Sequence, residues 1–420
     1  MKNSIFVSIA SFRDPELIPT LESLFSNADH PENLHICIGW QHSEDEKNDL
    51  VDYENNNQIS IIDIDYKKSL GACWARSLIQ QYYNNEDYYL QLDSHHRFVK
   101  GWDSICIQMI EELKLSGIKK PLLSTYLPSY NPFNDPKERA NEIWRLDFDR
   151  FIPESPFFML PAEATEEELK TPILSRFFSG HFVFVDGSFV KEVPYDPHLF
   201  FHGEEGSLAV RAWTSGYDLF VPNKFIAYHE YTREYRKGLK IWDSNPNWID
   251  LNTASHKRHK ELFGIDGVQR SIDFGIYDFG KDRSLQEYEK FAGIRFKDRA
   301  VQQWTLDHKL PPNTEIYNTE EDYNNSFLPI FRHCIDLHKC LFQDISSYSF
   351  LAIILKDKDD NELYREDLNE SQLISLFYSS SDIMNIWIQT QTKIQPKTWI
   401  VWPYKKNYGW DQNPIIGNLQ

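Results

Sequence analysis

Asp93-Ser94-His95 sets a carboxylate and an imidazole two residues apart at the end of the apolar run Tyr88-Tyr89-Leu90-Gln91-Leu92. In extended backbone, side chains two apart share a face, so Asp93 and His95 can grip a single divalent cation. A strand that merely ends in a polar turn would carry the same residues with no metal. His229 closes the run Phe225-Ile226-Ala227-Tyr228. Alone it reads as a polar strand end. Beside a half-filled metal site it is a candidate third ligand, because imidazole and carboxylate together suit Mn²⁺.

Three further segments could do chemistry. In Lys67–Arg76, Gly71 and small residues open a helix carrying Arg76, a place where backbone N–H groups and a cation can meet an anion. A helix start with a surface arginine explains the same pattern. In Ser179-Gly180-His181-Phe182-Val183-Phe184-Val185-Asp186, Gly180 lets the backbone approach a ligand closely, or simply permits a tight turn. In Phe201-His202-Gly203-Glu204-Glu205, two carboxylates begin a helix that continues through Arg211 and Trp213. There they could bind sugar hydroxyls or stabilise a cationic transition state, or only cap the helix.

The elements that must hold these residues alternate. Ser4–Ala10, His35–Trp40, Ile59–Ile64 and Tyr88–Leu92 read as strands. Leu17, Leu21, Leu24 and Phe25 fall on helical spacing, with Asp14 as the expected N-cap, and a second helix runs from near Gly71 to Tyr83. This alternation predicts an α/β unit with a largely parallel sheet, whose ligands sit beyond the carboxyl ends of the strands. Ser11–Arg13 and Asp93–His95 both fall there. Residues 125 to 175 read as a long excursion over the sheet, with Glu163–Glu168 on a solvated helix face. Beyond about Pro312 short strands predict a small β-rich appendage. Within it His333, Cys334, His338 and Cys340 are read as part of a helix through Leu337 and Leu341, since their spacing fits no standard structural zinc site.

Composition bounds the function. The chain has 420 residues, 41% of them hydrophobic, with 28 Phe, 22 Tyr and 12 Trp, which is ample core material. A net charge of −19 argues against a general nucleic-acid or anionic-membrane binder. Any nucleotide must be neutralised locally, by a metal or a few placed cations. Five scattered cysteines suit a reducing compartment. No stretch approaches a membrane span, and the start has no signal-like h-region, so a soluble cytoplasmic protein is expected.

The order of these motifs resembles the GT-A glycosyltransferases. Gly203-Glu204-Glu205 through Arg211-Ala212-Trp213 is similar to the Gly-Glu-Asn…Arg-x-Trp helix of polypeptide N-acetylgalactosaminyltransferases, which also use Asp-x-His and a later histidine. Residues 1 to about 300 look more like the N-acetylglucosaminyltransferase family that includes the eukaryotic enzymes acting on hydroxyproline of a ubiquitin-ligase adaptor. The residues that carry this likeness are Val7–Asp14, Gly71–Arg76, Gln91–His95 and Phe279–Leu285. The resemblance implies a GT-A catalytic domain over residues 1–310, followed by an accessory β-rich domain over 311–420. It implies that Ser11, Phe12, Arg13 and Arg76 contact the uridine, ribose or phosphates. It also implies that Asp93, His95 and His229 hold Mn²⁺ (or Mg²⁺) on the diphosphate. Gly180 and His181 would meet the donor sugar, and Glu204 and Glu205 the sugar or acceptor. The expected activity is metal-dependent, retaining transfer of N-acetylglucosamine from UDP-GlcNAc to a hydroxyl of a protein or glycan. The alternatives are another UDP-sugar (UDP-GalNAc, UDP-glucose, UDP-galactose), or a non-catalytic glycan-binding protein. The polypeptide N-acetylgalactosaminyltransferases carry asparagine where Glu205 stands here.

Overall fold

The computed structural model describes residues 3–419 apart from 47–49, 153–154, 237–238, 343–344 and 380. The chain divides into two compact units. One comprises Met1–Lys297 with Trp304–Glu315, the other Asp298–Gln303 with Ile316–Gln420.

Through residue 229 the first unit contains strands β1 (Ile5–Phe12), β2 (Leu34–His42), β3 (Ile59–Asp65), β4 (Tyr88–Leu92), β5 (His96–Phe98) and β6 (Pro121–Ser124). They are followed by β7 (Trp144–Ile152), β8 (Ser155–Glu163), β9 (Ile173–Ser175), β10 (Phe182–Asp186), β11 (Asp218–Val221) and β12 (Ala227–His229). Eight of these form one sheet in the order β3-β2-β1-β4-β10-β6-β11-β9. β1 to β4 run parallel, β10 is antiparallel between β4 and β6, and β11 returns parallel to β6. This is a mixed, mostly parallel sheet of an α/β fold. Every residue of β4 is buried, and β1 is nearly so, which is why both read as continuous apolar runs rather than alternating ones.

Helices cover the sheet: α1 (Leu17–Asn27), α2 (Ala72–Gln80), α3 (Trp102–Leu115), the short α4 (Phe189–Glu192) and α5 (Glu204–Thr214). Leu21 and Leu24 of α1 and Trp102 and Met109 of α3 pack with Val7, Ile9, Ile38, Leu90 and Phe184 in one core cluster. Gly71 precedes α2 with φ +115°, and a Cβ there would lie 2.3 Å from the Phe200 carbonyl oxygen. The helix therefore begins where only glycine fits.

Two details aim the strand ends. β12 pairs antiparallel with β5, setting His229 opposite His96, and the Glu230 N–H donates to the His95 carbonyl. Thr20 of α1, fully buried, donates its hydroxyl to the Ser94 carbonyl at 2.9 Å and accepts the His96 N–H at 2.9 Å. The loop after β4 is thereby tied to a helix on one side and a strand ladder on the other.

Several expectations are corrected. Asp14 is not the α1 N-cap: Glu16 is, and Asp14 accepts the Glu16 N–H while its other oxygen turns inward. The excursion over residues 125–175 carries the hairpin β7–β8, which buries Phe157 and Met159. Its acidic end continues β8 and then a single turn, Glu168–Lys170, instead of a helix. The strand expected at Phe225 is only Ala227–His229.

In the second unit, Ile330–His338 is a strand paired along its length with Ile383–Gln391. His333, Cys334 and His338 therefore lie on a strand, and the helix expected there does not form. Ile335 and Leu337 alternate into the core against Leu351, Ile353 and Leu355, a period of two that outweighs the helical reading. The central strand of the neighbouring sheet, Tyr348–Lys356, lies between Glu362–Asn369 and Thr398–Lys405. Among the described residues, no helix is long and apolar enough to cross a membrane.

Replacing Thr20 with valine keeps the shape but leaves the Ser94 carbonyl and His96 N–H without their partner. The expected cost is about 2 kcal/mol, read as a lowered midpoint in urea unfolding followed by circular dichroism. An unchanged midpoint would contradict the anchoring role.

Candidate metal centre and its two clefts

Asp93 follows β4 directly, and its Oδ2 lies 3.8 Å from His95 Nε2 and 3.6 Å from His229 Nε2. One ligand atom from each of the three residues lies within 4.8 Å of the others, the one such group among the described residues. Atoms sharing a cation at bonds of about 2.0–2.3 Å stand roughly 3–4.5 Å apart, so this set needs little adjustment to close on an ion. His95 Nε2 and both His229 nitrogens are buried with no hydrogen-bond partner. Orphaned buried nitrogens are costly unless something occupies them, and a cation is the occupant their chemistry fits.

The orientation of His95 comes from a residue that sequence reasoning assigned elsewhere. Asp14 Oδ2 accepts from His95 Nδ1 at 2.7 Å, which leaves the Nε2 lone pair facing Asp93. Asp14 also accepts from Ser94 Oγ, and its oxygens receive the Tyr235 hydroxyl. Arg236 stands 3.3 Å away. Burial opposes ionisation of Asp14, but the charge and hydrogen bond of His95, together with Arg236 and Ser94, hold its carboxyl well below the usual range. A buried carboxylate behind a ligating imidazole is the usual means of fixing tautomer and aim.

His96 and His181 flank the group. The His181 ring stacks on His229 with centroids 4.0 Å apart, and its Nε2 accepts the Leu127 N–H. Burial lowers the pKa of His96, His181 and His229 well below the ordinary histidine range, and neighbouring imidazoles lower it further. All three are neutral near pH 7, the state in which imidazole offers a lone pair. For Asp93, burial is outweighed by the nearby His229, 3.6 Å away, and by Arg76, and its carboxyl is held well below the usual range.

The remaining expected residues fall in two sets. Arg76 of α2 is buried, with Nη2 donating to Asp93 Oδ1 at 2.6 Å and Nη1 to Glu204 Oε1 at 3.2 Å and the Tyr195 hydroxyl at 2.9 Å. Glu204 Oε2 accepts the Cys73 thiol. Glu205 Oε1 accepts the Gly180 N–H at 2.8 Å, and Oε2 the Tyr126 hydroxyl at 2.9 Å. A Cβ on Gly180 would lie 2.6 Å from Glu204 Oε1, so the strand start and the α5 turn interlock. Burial raises the pKa of both glutamates, that of Glu205 to about 7. Ser11 is buried, its hydroxyl unpartnered. Arg13 turns to Glu46 at 3.1 Å and over the Tyr66 ring.

Two clefts meet at Asp93. Phe12, Gly71, His95, Arg236 and Trp242 line the first. Arg76, Gly180, His181, Glu204, Glu205 and His229 line the second. Ala72, Asp93, Phe201 and Arg233 belong to both. Of the residues expected at the nucleotide, Phe12 faces the first cleft, while Ser11 and Arg13 are not among its walls. Sequence reasoning missed Asp14, Arg233, Arg236 and Lys240. The last three stand in a basic run just after His229, an anomaly in so acidic a chain that could have marked them.

The family described as Glycosyltransferase (GlcNAc) matches residues 4–55 and 48–298, and the chain belongs to that family. No curated protein matches it. Among solved structures it is similar to GalNAc-T7 with UDP, GalNAc and Mn²⁺, at 15% identity over 68% of this chain and 54% of that one, with a TM-score of 0.45. The chain thus spans about half the length of GalNAc-T7. It is also similar to S. aureus TarS 1-349 in complex with UDP-GlcNAc, at 13% identity over 68% of this chain and 77% of that one, TM-score 0.37. A third is the mannosyltransferase PcManGT from Pyrobaculum calidifontis in complex with GDP-Man and Mn²⁺, at 11% identity over 57% and 59%, TM-score 0.37. Likenesses this distant carry no functional argument.

Two outcomes follow from the geometry. Asp14→Asn keeps the size but weakens the acceptor behind His95, and Mn²⁺ affinity should fall about 10–100-fold, measured by the electron paramagnetic resonance signal of free Mn²⁺. Glu205 has a pKa in the folded state above its ordinary value. Its penalty on stability is therefore absent below about pH 4.5 and grows as pH rises toward 7. Glu205→Gln should stabilise the metal-free protein at pH 8 by on the order of 1–3 kcal/mol and have no such effect at pH 4. Equal unfolding midpoints at pH 8 would refute this.

Proposed function

We propose that the protein is a divalent-metal-dependent, retaining transferase that moves N-acetylglucosamine from UDP-GlcNAc to a hydroxyl of a protein or glycan acceptor. One observation carries the reading. In a chain of this family, Asp93, His95 and His229 converge on the partition between two clefts, with unsatisfied donor atoms. A diphosphate laid across that partition would have its nucleotide in the first cleft and its sugar in the second.

The residues suit that division. In the first cleft Phe12 and Trp242 offer ring faces, and Arg233, Arg236 and Lys240 bring positive charge to a protein of net charge −19. Mn²⁺ or Mg²⁺, when bound by Asp93, His95 and His229, supplies positive charge against the diphosphate as it leaves. Gly180, His181, Glu204 and Glu205 all line the second cleft, where they would meet the sugar. All four oxygens of these glutamates are engaged, by Arg76, Cys73, Gly180 and Tyr126. Each of these oxygens keeps a further lone pair, so retention is assigned here on the family resemblance alone, and in it the departing phosphate itself takes the acceptor proton. The residues of both clefts fall within 1–310, the portion assigned to catalysis.

The test is Mn²⁺-dependent release of UDP from UDP-GlcNAc, UDP-GalNAc, UDP-glucose and UDP-galactose. UDP-GlcNAc should be the preferred donor, and Asp93→Asn should cut the release at least 100-fold in a variant whose near-ultraviolet circular dichroism shows it folded, its thermal midpoint lowered by the loss of the buried pair with Arg76. Faster release from another donor would replace the sugar in this assignment. Release from none, with glycan binding retained, would favour a non-catalytic glycan-binding protein.

A further inference from the structure

The family resemblance gives Arg76 to the nucleotide, but its surroundings point elsewhere. Its side chain is 2% exposed, and three of its N–H groups are spent on protein acceptors: Asp93 Oδ1, Glu204 Oε1 and the Tyr195 hydroxyl. Tyr195 is itself held by Gln91 Nε2 at 2.7 Å, and the same Gln91 amide donates to the Gly180 carbonyl at 2.6 Å. Gln91 lies on β4, two residues before Asp93. The guanidinium is thus the junction of β4, the Gly180 strand start and the first turn of α5.

We propose that Arg76 is a positioning residue that locks Asp93 into presenting a single oxygen to the metal and couples that oxygen to the sugar-facing carboxylate Glu204. With Oδ1 held by Arg76, only Oδ2 faces His95 and His229. Asp93 would therefore offer a bound cation one oxygen, Oδ2, the other being committed to Arg76. A planar fork is required, because a lysine ammonium is a point charge that cannot hold two carboxylates in fixed register. A substrate that displaces Glu204 would be felt at Asp93 through one rigid group, so sugar fit and metal geometry are linked. The inference rests on the metal-site reading above.

Arg76→Lys separates bracing from direct nucleotide contact, since Arg76 Nε has no protein acceptor and direct contact is the competing role. Two affinities are compared in wild type and variant: Mn²⁺ by electron paramagnetic resonance, and UDP by calorimetry in EDTA. Bracing predicts at least tenfold weaker Mn²⁺ binding with metal-free UDP binding unchanged within twofold. Weaker metal-free UDP binding overturns it, and so does unchanged Mn²⁺ affinity. Tyr195→Phe is the second variant, used should Arg76→Lys fail to fold by near-ultraviolet circular dichroism. It removes one support of the guanidinium and should weaken Mn²⁺ binding several-fold with metal-free UDP binding intact, and no effect on Mn²⁺ overturns the bracing role. Wild-type protein that takes up no Mn²⁺ even with UDP overturns the functional reading along with it. Wild type that binds Mn²⁺ no better than the variant overturns only the bracing role.

Discussion

The hydrogen bond from His95 Nδ1 to the buried carboxylate of Asp14 is the contact on which the metal-facing geometry depends. A neutral imidazole has one donor and one acceptor nitrogen, and committing the donor decides which lone pair the cleft receives. Asp14 can serve only because it stays ionised in a buried place, and it does so because Ser94, Tyr235, Arg236 and His95 surround it. Those partners come from the loop after β4 and from residues just beyond β12. One carboxylate therefore draws together the three stretches of chain that make the site.

The same economy governs charge. A chain of net charge −19 repels a nucleotide diphosphate at long range, so attraction must be local. The first cleft answers with Arg233, Arg236 and Lys240 among its lining, and the three potential metal ligands stand where it meets the second. Arg76 is a cation of another kind. It is neutralised by Asp93 and Glu204, so its charge is spent inside the protein on holding carboxylates in place. Buried ion pairs contribute little net stability once desolvation is counted, and geometric fixation is the better account of an arginine placed so deep.

Much of the first unit was legible because its signals are local. Unbroken apolar runs marked β1 and β4, and helical spacing marked α1. The two-residue step from Asp93 to His95 announced a shared face before any contact was known. What misled was equally physical. Asp14 before a proline has the form of an N-cap, and nothing local shows that its second oxygen reaches His95, 81 residues away in sequence. Leu337 and Leu341 are spaced for a helix, yet pairing with Ile383–Gln391 imposed the strand period. Arg13 sits beside the right strand end, but Glu46 draws it aside.

By itself, then, the sequence determined the elements, their α/β alternation and the chemical types gathered at the strand ends, since burial and periodicity act over a few residues. Only the tertiary structure decided the aim of each group: that His229 meets Asp93, that Asp14 stands behind His95, and that Arg76 faces inward. These are relations between residues far apart in the chain, and they exist only when ladder register and side-chain packing bring the distant segments together.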